Sequence, residues 1–147
     1  MTVIAWDGKT LVADKRAVLY GHPSTTTKIF RAPDGSLLGA SGDQDMATAL
    51  IAWYCDGADG IFHDNDDDDG GVAARLLVIT PTGAIHTYER FPLPMIMQDK
   101  FYAIGSGRDY ALAAMHLGLN AYAAVEVAIA LDNGCGNGTD ALMLEKS

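Results

Sequence analysis

A lysine, a threonine and an aspartate in the first 28 residues are the groups whose types and spacing could do chemistry. In the second apparent hairpin, Asp34-Gly35 predicts a two-residue turn that sets Lys28 opposite Ser41, and opposed residues share a face. Ser41-Gly42-Asp43-Gln44 reads as a capping box, so free backbone N–H groups at a positive helix end would lie beside the Lys28 ammonium. Such a site suits negative charge. In the first hairpin a turn at Asp7-Gly8 sets Thr2 opposite Ala13, with Asp14 one residue beyond. Strict alternation would turn Asp14 to the other face, so a bulge or a frayed strand end is needed to bring its carboxylate to Thr2 or Lys28.

The remaining reactive side chains point nowhere so definite. Cys55 and Cys135 lie far apart without a Cys-x-x-Cys or Cys/His pattern and are read as free thiols. Cys135 sits in a glycine-rich turn, but the sequence places no histidine to activate it. His22, His63, His86 and His116 show no ligand spacing and receive no role. In the run Asp64-Asn65-Asp66-Asp67-Asp68-Asp69-Gly70-Gly71, counting from Asn65 puts glycine at the sixth place of a calcium loop but Leu76, not Glu, at the twelfth. It reads as a solvated, mobile surface loop, and no metal or cofactor is expected.

The elements that must position these groups are strand pairs followed by helices. Val3–Trp6 with Thr10–Ala13, Lys28–Arg31 with Leu37–Ala40, and Ala74–Thr80 with Ala84–Arg90 surround turn sequences, and Phe101–Ile104 and Asp140–Leu144 read as further strands. Helical periodicity appears at Gln44–Tyr54, Tyr110–Leu117 and Ala121–Leu131. Met95 and Met97, near Pro92 and Pro94, read as packing residues of a loop or interface. Runs of strands and runs of helices imply an α+β class, with helices on the faces of antiparallel sheets.

Composition narrows the function. A chain of 147 residues, 49% hydrophobic, is expected to form a single domain over 1–147. A net charge of −9 argues against phosphate-backbone binding, so nucleic acid is not an expected partner. No apolar run is long enough to span a membrane and no signal-peptide pattern opens the chain, so a cytoplasmic location is expected.

Several pieces in order resemble proteasome β subunits and the bacterial HslV peptidase. They are Thr2 behind a single Met, Val12-Ala13-Asp14 followed by Arg16-Ala17, Thr27-Lys28-Ile29, Gly39-Ala40-Ser41-Gly42 before a helix, and Ile104-Gly105-Ser106-Gly107-Arg108-Asp109-Tyr110 running on to Ala114. The resemblance implies a four-layer αββα sandwich of the N-terminal-nucleophile (Ntn) hydrolase type and subunits stacked in homo-oligomeric rings. It implies a peptide or unfolded-protein substrate, and an ATPase unfoldase as a further partner. It makes Thr2 the nucleophile, Asp14 the buried carboxylate and Lys28 the family lysine. Ser41 and Gly42 cover the segment that supplies the oxyanion-binding amide, Ser106 helps hold the terminal amine, and Asp132 and Cys135 support it. Cys135 stands where serine is usual, Gly134 where tyrosine is frequent, and Asp56–Gly71 replaces a second long helix, which implies a shortened helix layer.

The chemistry so implied is that of a threonine endopeptidase. Removal of Met1 frees the Thr2 α-amine, which lies within reach to take the hydroxyl proton, and its reference pKa of about 7.7–8.0 leaves a neutral fraction near physiological pH. Two other readings stay open on the sequence: a ring-forming scaffold without hydrolysis, and an Ntn amidase acting on small molecules.

Overall fold

The computed structural model describes residues 1–145, where short apolar runs cut by glycine turns form antiparallel strands and three helices. In chain order these are β1 (Ile4–Trp6), β2 (Thr10–Asp14), β3 (Arg16–Leu19), β4 (His22–Thr25), β5 (Ile29–Arg31), β6 (Leu37–Gly42) and α1 (Gln44–Cys55). There follow β7 (Ala74–Ile79), β8 (Ile85–Tyr88), β9 (Met95–Met97), β10 (Tyr102–Ile104), α2 (Arg108–His116), α3 (Ala121–Leu131) and β11 (Thr139–Met143). One sheet has the order β10-β1-β2-β11, a second the order β5-β6-β7-β8-β9, and β3 with β4 forms a separate hairpin. The class is α+β, as expected.

Alternation along β1 and β2 divides the core. Val3, Ala5 and Val12 face α2 and α3, whose Ala111, Ala114, Ala121, Ala124 and Ala128 let helix and sheet approach closely. Ile4, Trp6, Leu11 and Ala13 face the second sheet and pack on Ile29, Leu37, Leu77, Ile79 and Ile85. The other side of that second sheet, with Leu38, Ala40, Leu76 and Val78, takes Ala47, Leu50 and Trp53 of α1. Leu50 is almost fully buried, which contributes about 2 kcal/mol of apolar transfer free energy.

Both hairpin registers differ from the expectation, and the turns explain why. The Asp7 carboxylate accepts from the Lys9 and Thr10 amides, so Gly8-Lys9 forms the first turn, with Gly8 at φ +95°. Ile4 therefore faces Ala13, and Asp14 donates its N–H to Val3 O at 3.1 Å, opposite Val3 and not beyond Thr2. The second turn takes three residues, Pro33-Asp34-Gly35, closed by Ala32 N–H to Ser36 O at 2.8 Å. Ile29 then pairs with Gly39, so Lys28 shares its face with Ala40 and not with Ser41. The helix cap shifts too: Asp43, not Ser41, is the N-cap of α1 and accepts from Met46 N–H.

The acidic stretch keeps its charges exposed but is tied down rather than loose. Asn65 is buried and exchanges hydrogen bonds with Ala74, and its amide also donates to Glu89 O at 2.8 Å. Arg90 pairs with Asp66, and Asp67 accepts from Asp69 and Gly71 amides. No helix lies between Cys55 and Ala74, so α1 alone covers the outer face of the second sheet. Among the described residues no helix is long and apolar enough to cross a membrane.

Candidate active site

The first hairpin ends where three other segments converge. Asp14 closes β2 with its side chain fully buried, and its carboxylate is saturated: Oδ1 accepts from Val3 N–H at 3.1 Å and Lys28 Nζ at 2.8 Å. Oδ2 accepts from Arg16 N–H at 3.2 Å and Gly136 N–H at 3.0 Å. A buried charge needs such pairing, since one left alone carries a cost of several kcal/mol. Lys28 reaches from the residue before β5, and its Nζ also donates to Thr2 Oγ1 at 3.2 Å and to Met1 O at 3.1 Å. The bulge thought necessary for an Asp14 contact is not required, because the corrected register already brings Asp14 level with Val3.

The nitrogen of Thr2 faces a second relay. Its N–H donates to Ser106 Oγ at 3.2 Å, and the Ser106 hydroxyl donates to Asp132 Oδ2 at 2.7 Å. That Ser106 hydrogen bond, with another from the Gly134 amide, holds the Asp132 carboxyl below its ordinary value. Thr2 O accepts from Gly107 N–H at 3.0 Å, and Gly105 lies so close that a Cβ there would stand 2.1 Å from Thr2 O. Gly105-Ser106-Gly107 thus admits the Thr2 strand end because it is glycine on both sides.

The structure therefore brings Thr2, Asp14, Lys28, Ser106 and Asp132 together around one hydroxyl and one nitrogen. Cys135 lies beside them, its Sγ 3.4 Å from Asp132 Oδ2. Burial, reinforced by the charges of Asp14 and Asp132, pushes its thiol up to about 12, so it stands as a protonated neighbour and not a nucleophile. The two residues of the segment expected to bind an oxyanion, Ser41 and Gly42, separate. Asp43 N–H donates to Ala73 O, so ladder alternation gives the Ser41 amide to β7 and turns the Gly42 amide the other way, toward the edge where the β5 ladder has stopped. Gly42 lines the same cleft as Thr2 and Lys28 as well as a groove beside β7, whereas Ser41 lines that groove and not the cleft.

Arg16, quoted above only as part of a motif, and Gly136 and Asn137 were given no role from the sequence, yet they hold the site's wall. The Arg16 guanidinium donates to Asn133 O and Asn137 Oδ1 and lies across Gly136, where a Cβ would stand 2.7 Å from it. The glycines flanking this turn were the available signal, but nothing in the sequence ties Arg16 to it.

Matched against protein-family models and against curated proteins, the chain matches none. Solved structures do match over the full length. Thiobacillus denitrificans BPH in complex with epoxomicin superposes with a TM-score of 0.73 at 21% identity, covering 100% of each chain. Eukaryotic HslV from Trypanosoma brucei gives 0.72 at 21% identity, covering 99% of each chain. The fold is that of HslV. A second structure of T. denitrificans BPH agrees, at 0.70 and 22% identity over 99% of this chain and 98% of that one. Within the HslV-like fold, the cleft beside Thr2 has a volume of about 260 Å³ and is walled by Phe30, Ala40, Ala47, Thr48 and Ile51. Lys28 is the one ionisable side chain among the described residues that line it.

Proposed function

We propose that the chain is a threonine peptidase, in which Thr2 is the N-terminal nucleophile once Met1 is removed. The observation that carries this reading is Lys28 Nζ lying 3.2 Å from Thr2 Oγ1 and 2.8 Å from the buried Asp14 carboxylate. The freed α-amine takes the hydroxyl proton, Oγ1 attacks the peptide carbonyl, and the Gly42 amide binds the developing oxyanion. Ser106, anchored by Asp132, holds the amine with its lone pair toward Oγ1. Lys28 offsets negative charge on the oxygen, and Asp14 keeps Lys28 in place. With Met1 attached, the Thr2 nitrogen is an amide and has no basic lone pair, so a retained Met1 would make the chain a silent scaffold.

The proposal extends to architecture and substrate. Residues 1–147 form one domain, a four-layer αββα sandwich with a shortened helix layer, and identical subunits close into a ring. The fold likeness supports this, as does the packing of α2 and α3 on one sheet and α1 on the other. A cleft larger than the roughly 150 Å³ that accommodates a benzene ring, and walled by apolar groups, suits an uncharged side chain up to aromatic size before the scissile bond.

The test compares wild type, Thr2→Ala and Lys28→Met on short fluorogenic peptides, with intact mass and sizing in parallel. Mass should show a chain starting at Thr2, and Lys28→Met, in which Asp14 keeps its three amide donors, should lose some stability but keep assembly while losing at least about a hundredfold in turnover. Epoxomicin, found in complex with BPH, should block the wild type. Undiminished turnover in Lys28→Met would refute the mechanism, and cleavage of small amides with none of peptides would move the reading to an amidase.

A further inference from the structure

Away from Thr2, a larger cavity of about 470 Å³ opens between the β5–β6 turn and the C-terminal end of α1. Asp34 stands on one side of it, Tyr54 and Tyr88 form its wall, and Ala58 and Pro94 lie at its rim. Neither lysine nor arginine is among the described residues that line it, His86 is the one lining side chain able to take a positive charge, and α1 carries no basic residue in its last turn to offset the negative end of the helix dipole. Asp34 Oδ1 accepts from Ser36 N–H and Oδ2 from Tyr54 O–H, each at 2.9 Å. Every carboxylate oxygen has two acceptor sites, so each retains capacity for another donor. The Tyr54 and Tyr88 rings pack edge to face, their centroids 6.3 Å apart at 62°, and both line the cavity.

We propose that this cavity is a second binding site, for an alkylammonium or guanidinium group. A carboxylate with spare acceptor sites and aromatic faces together form the environment that binds organic cations, by charge-assisted hydrogen bonds and cation–π attraction. An anion would meet Asp34 and the helix carbonyl end; an apolar group would leave the carboxylate unpaired. Asp34 is charged and both phenols are neutral near neutral pH. Burial raises both phenols, with Asp34 adding to the effect, while hydrogen bonds from Ser36 and Tyr54 outweigh burial at Asp34 and hold it below its ordinary value. The cavity shares no lining residue with the cleft beside Thr2 and would bind its ligand whether or not Thr2 is catalytic.

Calorimetric titration of the full chain tests it, with spermidine, a terminally blocked lysine and n-butanol as probes. Saturable binding of at least one amine, absent for n-butanol and weakened about tenfold or more by Asp34→Asn, is the expected result. Asp34 also shapes its turn, so Ala58→Lys, which hangs an ammonium on the exposed rim, serves as a second variant and should abolish binding. Spermidine binding alone would assign the site to free polyamines, and blocked-lysine binding alone to a basic side chain of a partner or substrate. No heat from either amine up to roughly 10 mM, or equal affinity in wild type and both variants, would overturn the proposal.

Discussion

Cys135 shows how the site's electrostatics become a measurable property of single residues. Its thiol is buried, faces the Asp132 carboxylate at 3.4 Å and is pushed up from an ordinary value of 9.0 to about 12. Between those values the unfolded chain releases the proton and the folded chain keeps it. This group's contribution to stability is therefore complete below about pH 9 and is lost as pH rises toward 12, at up to about 1.4 kcal/mol per unit. Denaturant unfolding from pH 8 to 10.5 should show wild type falling more steeply than Cys135→Ser; parallel curves would remove the shift. Buried phenols titrate in both proteins and cancel in the comparison. Thr2, Asp14 and Lys28 were legible in the sequence because their order and neighbours form a pattern. Arg16 and Gly136 were not, because their contact joins segments that sequence does not place side by side.

At the level of elements, the junction of β6 and α1 decides which amide faces the cleft beside Thr2. Gly42 has φ +106°, and a Cβ there would stand 2.3 Å from Ala73 O, which is backbone and cannot yield cheaply. Gly42→Ala should cost about 2 kcal/mol or more in stability and lose turnover even where folded, because the amide would move. Ser41→Ala, whose amide belongs to β7, should keep turnover within about twofold. Turnover lost equally in both variants would place the oxyanion donor elsewhere. The same geometry explains what sequence could and could not show. The three helices and most of the strands follow from periodicity. The registers did not, because the Asp7 carboxylate draws the first turn one residue on and Gly35 at φ +90° lengthens the second to three residues. The β3–β4 hairpin escaped because Pro23 lies inside it and its turn places Tyr20, a non-glycine, at φ +53°. β9 escaped because it is a short edge strand between prolines and polar residues.

For the whole molecule, the apolar surface says what the single chain leaves unfinished. Leu93, Met95 and Ile96 are 76%, 63% and 61% exposed along the free edge of the second sheet, and Leu19 and Tyr20 project from the tip of the β3–β4 hairpin. An unpaired edge bearing large apolar side chains is an association surface unless something covers it. With α1 the one helix on the outer face of the second sheet among the described residues, association with identical copies would offset the small core. Light scattering at micromolar concentration should therefore give a mass that is a whole multiple of 15.6 kDa and does not change on further concentration, as a closed ring requires. Thermal midpoint should rise with protein concentration in the range where subunits dissociate. Leu93→Lys with Ile96→Lys puts two ammonium groups on the edge, where both side chains are exposed in the free subunit, so folding should survive while the mass falls toward that of one chain. A monomer in the wild type would reject the ring. A double variant that stays fully assembled would instead keep the ring and move its interface away from β9, leaving the β3–β4 hairpin as the next surface to charge.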